Sequence, residues 1–243
     1  MSSTDSRWIP LESNPDVMNS WAEKAGLLTS QYHFEDIYGL DEDLLAMVPQ
    51  PVKAILLLFP YTDTYRAKRD AEDANENSVE VDPTILWIRQ TIGNACGTIG
   101  LIHALTNSDV DFAPESPLQQ FIDQCHDKTP DERAKLLETT PLFANIHAEA
   151  AATGQTAVPS NLDTDLHFIC FVQAPAKAAR ELQHPEGSKE GGMRLIELDG
   201  HRKGPLDRGP CSDLLADVAK VVQQNFFSGE SSMQFSMVAL CPS

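Results

Sequence analysis

Gln90-Thr-Ile-Gly-Asn-Ala-Cys-Gly-Thr-Ile-Gly-Leu-Ile-His-Ala-Leu105 is the stretch on which the reading of this chain turns. Small residues hand over at Cys96 to an apolar, proline-free sequence, which predicts a buried helix beginning at the cysteine. A thiol in that place faces unpaired backbone N–H groups and the positive end of the helix dipole, and both favour the thiolate. Gln90 closes an expected strand over Ile85–Gln90. Gly93, Gly97 and Gly100 leave room for close approach by the backbone of a substrate or a neighbouring strand. A small cysteine on an apolar helix is also ordinary packing, so the stretch alone leaves both readings open.

Working outward, Val52-Lys-Ala-Ile-Leu-Leu-Leu-Phe59 is bounded by prolines and nearly all apolar, as a strand buried on both faces requires. Residues 61–83 are polar and charged and read as a mobile loop or a solvated helix. Asn14-Pro15 and Gly26 bracket a helix over 15–25, and Asp41–Met47 reads as a short second one. Ser116-Pro117, Thr129-Pro130 and Thr140-Pro141 each start a helix, with Glu132 completing a capping box on Thr129. Leu166–Val172, Met193–Leu198 and Met233–Leu240 read as strands, and Asp213–Phe227 as an amphipathic helix with Leu214, Leu215, Val218, Val221 and Val222 on its buried face. One α+β domain over residues 1–243 is the economical organisation.

The chain has 243 residues, with 18 Lys and Arg against 36 Asp and Glu, a net charge of −18. That excludes nucleic acid and anionic membrane as main partners; solubility or a basic protein partner accounts for the surplus. The five cysteines, Cys96, Cys125, Cys170, Cys211 and Cys241, show no metal-ligand spacing, and neither metal nor cofactor is expected. The start lacks the basic and apolar regions of a signal peptide, and Ala54–Phe59 is too short to span a bilayer. A reducing cytoplasmic or nuclear setting is expected.

A thiol hydrolase needs a base for its cysteine, a group to orient that base and a donor for the oxyanion. His167 lies on an apolar strand, where a histidine usually has a specific partner. If 166–173 and 193–199 pair antiparallel, Asp199 falls beside it. Gln90 carries an amide able to donate to an oxyanion. A core histidine and a Leu-Asp-Gly turn remain the bland alternatives.

These residues resemble the ubiquitin C-terminal hydrolase family of papain-like cysteine peptidases. The resemblance is carried by Trp8-Ile-Pro-Leu-Glu-Ser-Asn-Pro15, Phe34-Glu-Asp-Ile-Tyr-Gly-Leu40, Met47-Val-Pro-Gln-Pro-Val52, the Gln90–Leu105 run, Asp165-Leu-His-Phe168 and Glu197-Leu-Asp-Gly-His-Arg202. It implies an antiparallel sheet flanked by helices and a knotted chain path. It also implies that Cys96 attacks the carbonyl of ubiquitin's terminal glycine, Gln90 supports the oxyanion, His167 moves the proton and Asp199 orients His167. A crossover at about 154–165 would restrict leaving groups to precursors, small adducts or unfolded tails. Glu12, Asp16 and Asp36 fall where the family places carboxylates toward ubiquitin's basic surface. A ubiquitin-like modifier (Nedd/Rub) as substrate, or a non-catalytic ubiquitin-binding module, are the alternatives, and a monomer is the default. Two features depart from the family pattern: the long connection at 174–192, and Arg208, to which no role attaches.

Overall fold

Consecutive side chains of a strand point to opposite faces, so the run at 52–59 needs cover on both sides of a sheet. The computed structural model, which describes residues 7–75, 81–156, 161–177, 192–227 and 235–243, supplies it. Strands β1 (Tyr32–Asp36), β2 (Ala54–Pro60), β3 (Leu166–Pro175), β4 (Met193–Leu198), β5 (Leu206–Pro210) and β6 (Ser236–Pro242) form one sheet, in the order β1-β6-β2-β3-β4-β5. All neighbouring pairs are antiparallel. In β2, Ala54 and Leu56 face one core, shared with Phe168, Cys170 and Val172 of β3. Ile55, Leu57 and Phe59 face a second, with Ile169 and Phe171. Each fully buried Ile or Leu contributes about 1.5–3 kcal/mol before chain entropy is charged against it.

The first core is closed by α1 (Pro15–Ala25), α4 (Cys96–Thr106), α5 (Pro117–Cys125), α6 (Pro130–Thr139) and α7 (Pro141–Ala151). The second is closed by α8 (Leu214–Asn225), with α2 (Glu42–Leu45) and α3 (Asp63–Asp73) at its margin. Leu214, Leu215, Val218 and Val222 are buried as the periodicity requires, while Val221 is only partly so. The caps follow the sequence: Asn14 accepts from Asp16 N–H, Ser116 from Gln119 N–H, and Thr129 with Glu132 forms the reciprocal box. No described helix is long and apolar enough to cross a membrane.

Some expectations change. Ile85–Gln90 belongs to no strand, and side chains take the place of a strand partner. Asn107 accepts from Leu86 N–H at 2.7 Å and donates to Leu86 O at 2.8 Å. His103 Nε2 accepts from Ile88 N–H at 2.9 Å, and Gly200 O accepts from Gln90 N–H at 2.9 Å. Helix α4 thus supplies much of the hydrogen bonding that a ladder would give. Within 61–83, residues 63–73 are helical, and the strands β1 and β5 were not anticipated. Most of the 174–192 connection, and the chain path on which a knot depends, lie outside the described residues.

Arg208 has a role after all. It and Arg202 bracket a buried carboxylate, Glu197 of β4: Arg202 Nε donates to Glu197 Oε1 at 2.9 Å and Arg208 Nε to Oε2 at 2.7 Å. Both arginines also reach Glu72 on α3, and Arg202 reaches Asp73 at 2.6 Å. The cluster fastens the C-terminal end of α3, where acidic residues oppose the helix dipole, to the sheet. Breaking such a network leaves a buried charge unmatched. Arg202→Met is therefore expected to cost about 3–5 kcal/mol, seen as a fall of about 10 °C in Tm. A shift within a degree would show that solvent reaches the cluster.

Candidate active site

The turn before α4 sets the thiol. Asn94 adopts the left-handed region at φ 60°, and its Nδ2 donates to Trp8 O and Leu162 O, each at 2.9 Å. Cys96 is the first residue of α4, and no side chain caps the preceding Ala95, so the first-turn N–H groups stay free of a side-chain cap. The glycines admit side chains rather than a substrate backbone. A Cβ on Gly97 would meet Leu11 at 3.1 Å, and one on Gly100 would meet Leu56 at 3.1 Å, which lets α4 lie close on β2.

Because Cys170 is opposite Leu198 in the β3–β4 register, His167 and Asp199 fall just past the paired ends of the two strands. His167 Nε2 donates to Asp199 Oδ1 at 2.7 Å in a fully enclosed setting, leaving Nδ1 for the thiol of Cys96, with which the ring is hydrogen-bonded. Burial alone would lower the His167 pKa, but the charge and hydrogen bond of Asp199, with those of Cys96, overcome it and raise it to about 10. Burial likewise pushes the Cys96 thiol up, and His167 with the N–H groups of Phe168 and Gly97 brings it below its ordinary value. Burial also opposes ionisation of Asp199; His167 and the His201 N–H nevertheless hold its carboxyl well below the usual range. The arrangement favours a thiolate–imidazolium pair beside a buried carboxylate.

The Asp199–Gly200 turn is bound to the segment leading to Cys96. Trp87 Nε1 donates to Asp199 O at 3.1 Å, and a Cβ on Gly200 would sit 3.2 Å from Gln90 N. The Asp199 carboxylate and Gln90 are thereby held by one turn. Gln90 lines the same cleft, of about 240 Å³, as Cys96, His167, His201 and Tyr61. Its Nε2 donates to Ile92 O at 3.2 Å, which leaves the second amide hydrogen free for another acceptor.

Asp16 and Asp36 line a second cleft, of about 550 Å³, with Glu35, which the sequence reading did not single out. Burial, then Glu35 and Asp16, raises the Asp36 pKa, the mark of like charges gathered together. Glu12 is engaged elsewhere. Its carboxylate accepts from Gln155 N–H at 2.9 Å and Thr156 N–H at 2.6 Å, at one root of the expected crossover. At the other root Arg7 pairs with Asp163, while Asn94 holds Leu162. Residues 157–160 between these roots lie outside the described set.

Tyr61 and His201 were also missed. Tyr61 sits at the end of β2, its ring 5.1 Å from His167 and 5.3 Å from His201. The His201 ring is stacked on His167 at 4.3 Å. Among the described residues, His167, Asp199 and His201 bring metal-binding atoms within 4.8 Å. Stacked imidazoles direct their lone pairs side by side rather than at one point, and Asp199 already occupies His167 Nε2, so the three make a poor metal cage.

Comparison with known proteins agrees with this geometry. The family described as "Ubiquitin carboxyl-terminal hydrolase, family 1" matches residues 8–227. Ubiquitin carboxyl-terminal hydrolase 3 of Arabidopsis thaliana is 38% identical, the match covering 98% of this chain and 96% of the relative. Ubiquitin carboxyl-terminal hydrolase isozyme L1 of Rattus norvegicus is 35% identical, covering 96% of this chain and 97% of the relative. The catalytic domain of Trichinella spiralis UCH37, solved bound to ubiquitin vinyl methyl ester, superposes with a TM-score of 0.71 at 22% identity, covering 98% of this chain and 97% of that one. The chain belongs to the family-1 ubiquitin carboxyl-terminal hydrolases and is a cysteine-type ubiquitinyl hydrolase.

Proposed function

We propose that this chain releases small adducts, precursor extensions and unfolded peptides from the C-terminal glycine of ubiquitin through a thioester on Cys96. The observation that carries the reading is the hydrogen-bonded series Cys96–His167–Asp199 at the mouth of one cleft. The thiolate attacks the glycine carbonyl carbon, and the oxyanion is met by Gln90 and the free N–H groups at the start of α4. His167 gives its proton to the leaving amine as the C–N bond breaks. Water then adds to the thioester while His167 takes up its proton. Collapse breaks the C–S bond, restores the Cys96 thiolate beside the His167 imidazolium, and releases the ubiquitin carboxylic acid, which gives its proton to solvent.

The cleft of Asp16, Glu35 and Asp36 fits a basic surface such as that of ubiquitin; exposed pairs of this kind steer and select more than they tighten. Glu12, a third carboxylate proposed to face ubiquitin, also accepts from two backbone N–H groups at a crossover root. A monomer suffices, since one chain carries all four groups, and a cytoplasmic or nuclear compartment would keep Cys96 reduced.

The test is ubiquitin bearing a C-terminal electrophile, with mass spectrometry to locate the adduct among the five cysteines. A single adduct on Cys96 is expected. Ubiquitin binding with no adduct, or modification of another cysteine instead, would overturn the assignment.

A further inference from the structure

The catalytic imidazole has one broad face that neither Asp199 nor Cys96 controls. Both hold His167 through its edge nitrogens, and edge bonds restrain a ring poorly against tilting. Phe59 and Tyr61 also meet it edge-on, with ring centroids at 6.0 and 5.1 Å. The face is covered by His201, whose ring lies 4.3 Å away and within 7° of parallel.

Two further contacts make this a built arrangement. The His201 backbone N–H donates at 2.8 Å to Asp199 Oδ1, the oxygen that also accepts from His167 Nε2. Its ring in turn meets the Tyr61 ring at 5.3 Å, and Arg69 donates to the Tyr61 hydroxyl. Backbone and ring of one residue therefore grip the Asp199–His167 pair from two directions.

We propose that His201 is a positioning residue for the reaction, its ring keeping the imidazole of His167 in the line from Asp199 to Cys96. The inference rests on the catalytic reading of His167. A stack suits this task if only one of the two rings carries charge. The groups facing His201 favour that state: His167 on β3, Arg66 and Arg69 on α3, Tyr61, Asp199 on its own turn, and Cys96 and Asp165 around the cleft. His201 itself is solvent-exposed, and the packing of its ring against His167 together with the His167 charge lowers its pKa, against the pull of Asp199.

The test compares wild type, His201→Ala and His201→Phe in two measurements. One is kcat and KM on ubiquitin carrying a C-terminal fluorogenic amide. The other, which needs no ubiquitin, is the pH dependence of Cys96 alkylation by iodoacetamide. His201→Ala is expected to lower kcat about tenfold to hundredfold, the cost of a tilted base. KM should stay within about twofold, because ubiquitin binding is not touched. The acid limb of alkylation should move to higher pH as the thiolate loses its imidazolium partner. The flat ring of His201→Phe should recover most of both changes. Wild-type kcat and alkylation in His201→Ala, or an equal loss in His201→Phe, would overturn the proposal. If wild type turns over no ubiquitin substrate, the functional reading falls instead, and the alkylation profiles still decide whether His201 positions His167.

Discussion

Cys96→Ala is expected to reduce hydrolysis of ubiquitin C-terminal amides by at least about 10⁴-fold while leaving ubiquitin affinity nearly unchanged. The size follows from the chemistry: the thioester route disappears, and what remains is whatever the oxyanion donors do for direct attack by water. The unchanged affinity follows from the layout, since the acidic cleft proposed to meet ubiquitin, that of Asp16, Glu35 and Asp36, shares no lining residue with the cleft at Cys96. The substitution should also leave the fold intact. Cys96 is only partly buried, and alanine is a good helix former in its place. The other cysteines cannot rescue it: burial raises the thiols of Cys125, Cys170, Cys211 and Cys241 rather than activating them. Kinetics and a ubiquitin titration on the same preparation check both halves. Turnover within tenfold of wild type would remove Cys96 as nucleophile.

What the sequence disclosed and what it hid divide along physical lines. Local signals were legible. Asn14, Ser116 and Thr129 cap the helices that their positions suggested, and the 52–59 run is covered on both faces. The Cys96, His167 and Asp199 motifs could be named because each keeps a recognisable neighbourhood. Contacts made by side chains across long sequence separations were not legible. Asn107 and His103 replace a strand partner for 86–88, and no periodicity predicts that. The bonds of Glu12 to backbone more than 140 residues away were likewise hidden. Arg208 looked like an isolated departure because Glu72, its partner on α3, lies in a polar segment that reads equally as a mobile loop or a solvated helix. His201 adjoins Asp199 in sequence, but only the strand register puts its ring on His167.

Asp199→Asn should lower kcat by about 10³-fold and still give a folded protein. Asparagine preserves the shape of the carboxylate but not its charge, so the His167 imidazolium loses its counter-ion, and with it the reason for a raised pKa. Neutral His167 in turn leaves Cys96 to the effect of burial, which favours the thiol. The stability cost is smaller, about 1–3 kcal/mol for a buried polar group left without its full set of partners. Asp199 Oδ2 already lacks a hydrogen-bond partner, so an amide placed there has no acceptor waiting. The pH dependence separates this mechanism from a simple turn defect. The folded His167 pKa rises from 6.5 to about 10, so its part of the stability is whole below pH 6.5 and is lost as pH climbs toward 10. Asp199 lies below its ordinary 3.8, so its part is present above that value and fades as the solution is acidified. The stability gap between wild type and Asp199→Asn should therefore be widest between about pH 4 and 6.5 and narrow toward pH 10. Urea denaturation across that range measures it. A gap that stays constant with pH, or a variant that fails to fold, would mean that Asp199 holds the turn rather than the charge on His167.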